Sequence, residues 1–196
     1  MTPFPDYKTA TNAAYRLLAE MDTFSIQTDV FGIANSLPNC RVYSYGLTNY
    51  LHDGALDALL ANSEFGFSVK KDNKRIIYIN EKMPLWAIRF TLAHEIGHAV
   101  LGHQDEDNPV SEREANCFAR NLLCPLPVAN AFGVQSEDDY VSVFNIGPQM
   151  ARATVGRRSS DAYYIDEAYV AVLDDKLYAY NLGYESLAAF ERYVYA

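Results

Sequence analysis

Apolar residues recur at helical spacing over much of this chain and alternate with polar ones in a few short runs. Residues 7–21 place Tyr7, Ala10, Ala14, Leu17, Leu18 and Met21 on one face, and residues 29–37 do the same with Val30, Phe31, Ile33, Ala34 and Leu37. Two helices are predicted there, followed by a break at Pro38-Asn39. Arg41 to Tyr45 reads as a short strand, and residues 47–61 as a helix ending near Asn62. Phe65 to Val69 and Arg75 to Asn80 flank the polar run Lys71-Asp72-Asn73-Lys74, the pattern of a hairpin. Pro84 suits the first turn of a helix whose apolar face is Leu85, Ile88, Leu92, Ile96 and Ala99. Ser111 to Pro125 predicts another, with the stripe Ala115, Phe118, Ala119, Leu122 and Leu123. Ser111 is its candidate N-cap, and Glu114 stands three residues on, as a capping box requires.

Beyond Pro125 the pattern weakens. Residues 137–145 and 148–158 read as two short helices joined at Asn145-Ile146-Gly147. Tyr169 to Leu173 and Lys176 to Tyr180 flank Asp174-Asp175 as a second hairpin would, followed by a helix over about residues 184–193. The elements predict an α+β fold, mainly helical, with a small, mostly antiparallel sheet beside the helix that starts at Leu85. Residues 1–160 form the expected core, and the tyrosine-rich residues 161–196 a hairpin-plus-helix extension packed on it.

Composition adds exclusions. At 196 residues, nearly half of them apolar, the chain can bury a substantial core. It has no apolar run long enough to span a bilayer, and Met1 to Lys8 has neither a basic n-region nor an apolar h-region, so no membrane association and a cytoplasmic location are expected. Cys40, Cys117 and Cys124 are odd in number and lack metal-knuckle spacing, so reduced thiols are expected. A formal charge of −9 argues against direct nucleic-acid binding, which needs clustered Lys and Arg, while a basic protein partner stays compatible. The one basic cluster, Arg152, Arg157 and Arg158, lies on the pair of helices whose spacing faintly suggests a helix-turn-helix. That pair is expected instead to pack under the helices before it and shape a pocket wall.

The chemistry concentrates in His94-Glu95-Ile96-Gly97-His98. On a helix, residues four apart face the same way, so both imidazoles can reach one tetrahedral ion at about 2.0–2.1 Å. Glu95 sits just off that line, where it can take a proton from water held at an open fourth position. A third protein ligand is required. Gln104 occupies the position six after His98 where a metzincin would have histidine. His103 lies about 180° round an extended helix from His94, which suits a partner for the helix dipole better than a ligand. On the downstream helix, steps of about 100° put Glu112 in line with Ala115, Asn116 and Ala119, facing inward, and Glu114 with Arg113, Cys117 and Asn121, facing outward. Glu112 is therefore the preferred third ligand, with Glu114 a cap or solvated charge and the alternative ligand.

The run Arg89 to His98, followed by Glu112-x-x-Ala115-Asn116-x-Phe118-Ala119-x-x-Leu122-Leu123-x-Pro125, resembles the ImmA/IrrE family of bacterial metallopeptidases over roughly residues 75–125. Cys124 replaces the methionine common before that proline, one soft apolar residue for another. The resemblance implies a zincin-like fold, a third ligand at Glu112, and a cytoplasmic zinc endopeptidase. Its target would be a helix-turn-helix repressor of a mobile element or of a stress or toxin–antitoxin module. In that expectation His94, His98 and Glu112 hold Zn2+, Glu95 is the general base, and the strand before the motif aligns the substrate through its open edge. Manganese or iron can occupy similar ligands. The tyrosines from residue 140 onward, Tyr140, Tyr163 and Tyr164 among them, are candidate oxyanion donors. The alternative is a regulatory module that sequesters a repressor or antitoxin without cutting it.

Overall fold

The computed structural model describes residues 4–71, 74–104 and 108–194. Helix α1 (Tyr7–Glu20) starts at Asp6, whose side chain accepts from the Thr9 amide, and α2 (Val30–Ser36) starts in the same way at Asp29. Strand β1 (Cys40–Ser44) follows. The helix expected over residues 47–61 is two, α3 (Tyr45–Leu51) and α4 (Ala55–Asn62), because Gly54 adopts φ +78° and turns the chain between them. Strands β2 (Gly66–Lys71) and β3 (Lys74–Ile79) pair antiparallel from Gly66↔Ile79 to Lys71↔Lys74, while β1 pairs parallel to β3 from Cys40↔Arg75 to Ser44↔Ile79. The sheet is therefore mixed, in the order β1-β3-β2, so β3, the strand just before α5 (Leu85–Val100), is paired on both sides and lacks the open edge expected of it, while β2 lies at an edge. The turn residues Asp72 and Asn73 lie outside the described residues.

Helix α5 (Leu85–Val100) lies on β2 and β3 and packs chiefly against α6 (Pro109–Leu123), which α1 covers from the other side. Ile77 and Ile79 of the sheet, Leu92 and Ile96 of α5, and Phe118 and Leu122 of α6 meet in one apolar core. Helix α6 begins earlier than the expected Ser111 cap. Asn108 accepts from the Val110 amide at 2.9 Å and Pro109 fills the first turn, where its fixed φ suits the helix and its missing N–H costs nothing. Ser111 thus lies inside the helix, and Glu114 takes no part in a capping box.

The remaining elements are α7 (Leu126–Ala131), α8 (Glu137–Phe144), α9 (Pro148–Tyr164), α10 (Glu167–Asn181) and α11 (Leu187–Val194). The joint expected at residues 145–147 is present, with Asn145 at φ +51°. The hairpin expected over residues 169–180 is not: that stretch is the helix α10, which packs on α1 and α7. Leu173 and Leu177, one turn apart, are buried. Between them Lys176 reaches the end of α1, where its Nζ donates to the carbonyls of Leu18 at 2.9 Å, Ala19 at 2.8 Å and Met21. Burial on one helical face, with a lysine capping a neighbouring helix, outweighs the β propensity of the tyrosines and valines. Among the described residues no helix is long and apolar enough to cross a membrane.

Candidate metal centre

Two turns of packing bring three donors together. Helix α5 sets the Nε2 atoms of His94 and His98 3.0 Å apart. Glu112, in the first turn of α6, offers Oε1 at 3.2 Å from His98 Nε2 and Oε2 at 3.6 Å from His94 Nε2. Gly97 permits this approach of the two helices: a Cβ there would stand 3.0 Å from Phe118 Cδ1 and 3.3 Å from both Cα and O of Ala115. The three separations bracket the edge of about 3.3 Å expected for a tetrahedron with bonds of about 2.05 Å. No other group of three such donors gathers among the described residues. Two imidazoles and a carboxylate with one side open fit a single divalent ion.

The two rings are shifted in opposite directions in the metal-free site. His98 is 1 % exposed, and burial followed by the neighbouring His94 pushes its pKa down to about 3, so its ring is neutral near pH 7, as a ligand must be. Burial opposes protonation of His94, but hydrogen bonding to Glu112 and the charge of Glu95 outweigh it and raise the ring above the usual histidine range. Glu112 is held below the usual carboxylate range, chiefly by the hydrogen bond from His94.

Glu95 is buried beside these ligands. Its Oε2 accepts from Ser68 Oγ on β2 at 2.6 Å, and Ser68 Oγ accepts from Arg75 Nη1 on β3 at 2.8 Å. Sheet and helix thereby converge on the carboxylate next to the imidazoles.

The sequence profile of the M78 peptidases, described as an IrrE N-terminal-like domain, matches residues 54–155, which carry all of these side chains. The chain belongs to this metallopeptidase family. No curated protein and no solved structure matches it. Family membership gives the chain a metallopeptidase-like function and calls for a metal ion, for which the donor set above is the candidate.

Behind the triad lie two residues whose roles the helical wheel misassigned. His103 Nδ1 is 3.0 Å from His98 Nδ1, and His103 Nε2 is 2.9 Å from Glu114 Oε2. Glu114 Oε1 in turn accepts from the Asp6 backbone N–H at 2.6 Å. With side chains 8 % and 16 % exposed, His103 is not a lone helix-dipole partner and Glu114 is not a solvated charge. Helix α5 stops at Val100, and Gly102 at φ +72° turns the chain so that His103 folds back onto His98. Gly102 was the one local signal of this turn, since glycine past a helix end marks a left-handed stop.

A cleft adjoins the triad. Trp86, Phe90, Pro148, Met150 and Ala153 line a cavity of about 420 Å³ between α5 and α9, and the Phe90 and His94 ring centroids are 6.0 Å apart. Asn116, Arg120 and Ala153 are shared with a second cavity of about 280 Å³ that continues toward Tyr7, Arg113 and Arg157. The buried pair of Arg120 with Asp161, at 2.7 and 3.0 Å, ties α6 to α9 along this wall. Of the helix pair expected to shape a pocket wall, α9 does so, and α8 lines neither cavity. Of the candidate oxyanion donors, Tyr140 is fully buried with its hydroxyl accepting from Arg158, which removes it from the site; Tyr163 is 84 % exposed, and Tyr164 lines the second cavity. All three thiols are buried and free, and burial raises each of them above the usual cysteine range.

Proposed function

We propose that the chain is a zinc-dependent endopeptidase that cuts one peptide bond in a specific protein, a helix-turn-helix repressor of a mobile element or of a stress or toxin–antitoxin module. The observation that carries the reading is the near-tetrahedral convergence of His94, His98 and Glu112 with Glu95 beside it. His94, His98 and Glu112 would hold the ion, and zinc bound there supplies a Lewis acid for the scissile carbonyl. Glu95 takes the proton of the attacking water and passes it to the leaving amine. A peptide substrate is supported by β2, whose outer edge pairs with no strand among the described residues and so offers backbone N–H and C=O groups to an extended segment. The cleft between α5 and α9 receives side chains beside the scissile bond. A repressor target rests on the family resemblance and on the acidic charge of −9, which suits a basic, DNA-binding partner surface in the cytoplasm.

The test pairs metal analysis of the purified protein with incubation against the helix-turn-helix protein encoded beside it, with wild type and Glu95→Gln compared by intact mass. The expected result is one discrete cut that needs both zinc and Glu95, with zinc retained in Glu95→Gln. Cleavage by metal-loaded Glu95→Gln removes Glu95 as the base. A stable, uncut complex with bound zinc supports the sequestering module instead.

A further inference from the structure

We propose that His103 and Glu114 are positioning residues that fix the ring tautomer of His98 and so keep its Nε2 free to bind metal; the proposal rests on the metal-site reading above. A neutral imidazole carries one proton. For His98 Nε2 to present a lone pair toward His94 and Glu112, that proton must sit on Nδ1. The atom facing His98 Nδ1 is His103 Nδ1 at 3.0 Å, which must then accept and carry its own proton on Nε2. His103 Nε2 points at Glu114 Oε2, 2.9 Å away, and a carboxylate only accepts. Every donor in the row Nδ1–H of His98, Nε2–H of His103 then has an acceptor.

The reverse direction fails at both ends. A proton on His103 Nδ1 would force His98 Nδ1 to accept and put the His98 proton on Nε2, against the other ligands. It would also leave the His103 Nε2 lone pair facing a carboxylate. Glu114 therefore selects the direction of the whole row. The row is built from four separate pieces of chain, a placement that no single helix dictates: His98 on α5, His103 past the Gly102 turn, Glu114 on α6, and the Asp6 backbone N–H, which donates to Glu114 Oε1 at 2.6 Å and leaves Oε2 to His103. Arg75 Nη2 also donates to the His103 carbonyl at 3.3 Å, which holds the turn against the sheet. The two rings are not stacked: their centroids are 5.0 Å apart and their planes at 74°, with the Nδ1 atoms facing each other at 3.0 Å.

The test measures zinc affinity of the full chain by competition with a chromophoric chelator, beside the thermal midpoint of the metal-free protein. His103→Leu fills similar space without an acceptor, His103→Gln keeps an acceptor for His98, and Glu114→Leu deprives His103 of its own. His103→Leu and Glu114→Leu are expected to weaken zinc binding about 10–100-fold, and His103→Gln to recover most of that loss. Affinities within about threefold of wild type for both leucine variants, or a glutamine variant as weak as His103→Leu, overturn the proposal. Should the leucine variants not fold, nitrogen-15 NMR of the zinc-loaded wild type decides: His103 protonated on Nε2 supports the proposal and His103 protonated on Nδ1 overturns it. A wild type that binds no zinc overturns the metal-site reading itself, and the proposal with it.

Discussion

Ser68 Oγ donates to Glu95 Oε2 across 2.6 Å, joining the edge strand to the helix that carries both imidazoles. Arg75 holds the serine from the next strand, so the carboxylate is oriented from the sheet side while Glu112 closes the site from α6. A hydrogen bond to a charged group contributes about 1.5–3 kcal/mol, and about 1.4 kcal/mol is tenfold in rate. Ser68→Ala is expected to lower kcat for the cleaved target by about tenfold or more with zinc content unchanged. Steady-state cleavage beside metal analysis checks this, and loss of zinc would show instead that Ser68 supports the ligands.

Gly97 sits between the two histidines, where α5 packs on α6 at Ala115 and Phe118. Its missing Cβ would already press on Phe118 and on Ala115 backbone, at 3.0 and 3.3 Å, and backbone cannot turn aside. Gly97→Val is expected to push α6 outward, carry Glu112 away from the imidazoles, destabilise the fold by about 1–3 kcal/mol and weaken zinc binding. The control is Gly156 on α9, where an added Cβ meets nothing within 4 Å among the described residues. Gly156→Ala is expected to leave zinc affinity unchanged and stabilise the helix by about 0.5–1 kcal/mol. Thermal midpoints and zinc competition on both variants separate the two outcomes.

What the sequence made legible here is what helical periodicity alone determines. His94 and His98 share a face by spacing, and the wheel that turned Glu112 inward matches the side on which the structure finds its carboxylate. The same wheel misplaced His103 because it assumed that α5 continues, whereas Gly102 ends the helix and reverses the chain. It misjudged Glu114 because the amide that meets that carboxylate belongs to Asp6, 108 residues away. Ser68 was invisible for the same reason: an exposed-looking serine in a strand acquires its role only when the sheet is laid against α5. In the C-terminal region, Tyr169 to Tyr180 alternates well enough for a strand and also repeats well enough for a helix, and only burial against α1 chooses between them.

Lys176 gives that choice a measurable consequence. Its Nζ caps three carbonyls at the end of α1, groups that have no amide partner within the helix itself. Lys176→Met keeps the apolar stem and deletes the donors, so the Leu18 carbonyl loses its buried partner. An expected loss of about 1–3 kcal/mol follows from leaving buried acceptors unpaired. Denaturant unfolding of the metal-free chain checks it, and zinc affinity is expected to hold because α10 contributes no ligand.

The cleft offers the last test, one that separates substrate binding from metal chemistry. Ala153 is exposed on α9 and belongs to the wall shared by both cavities, across from Phe90, whose ring approaches His94. A tryptophan there would fill the groove, whose lining includes none of His94, His98, Glu95 and Glu112. Helix propensity costs only about 0.5 kcal/mol for the exchange, so the fold is expected to persist. If the substrate chain crosses the metal with a side chain in this groove, Ala153→Trp lowers kcat/KM by about tenfold or more through KM, since it removes binding that ground state and transition state share. Zinc affinity stays at the wild-type value. Unchanged cleavage by Ala153→Trp would instead route the substrate along the open edge of β2 alone, and the groove between α5 and α9 would then belong to the packing of the two helices.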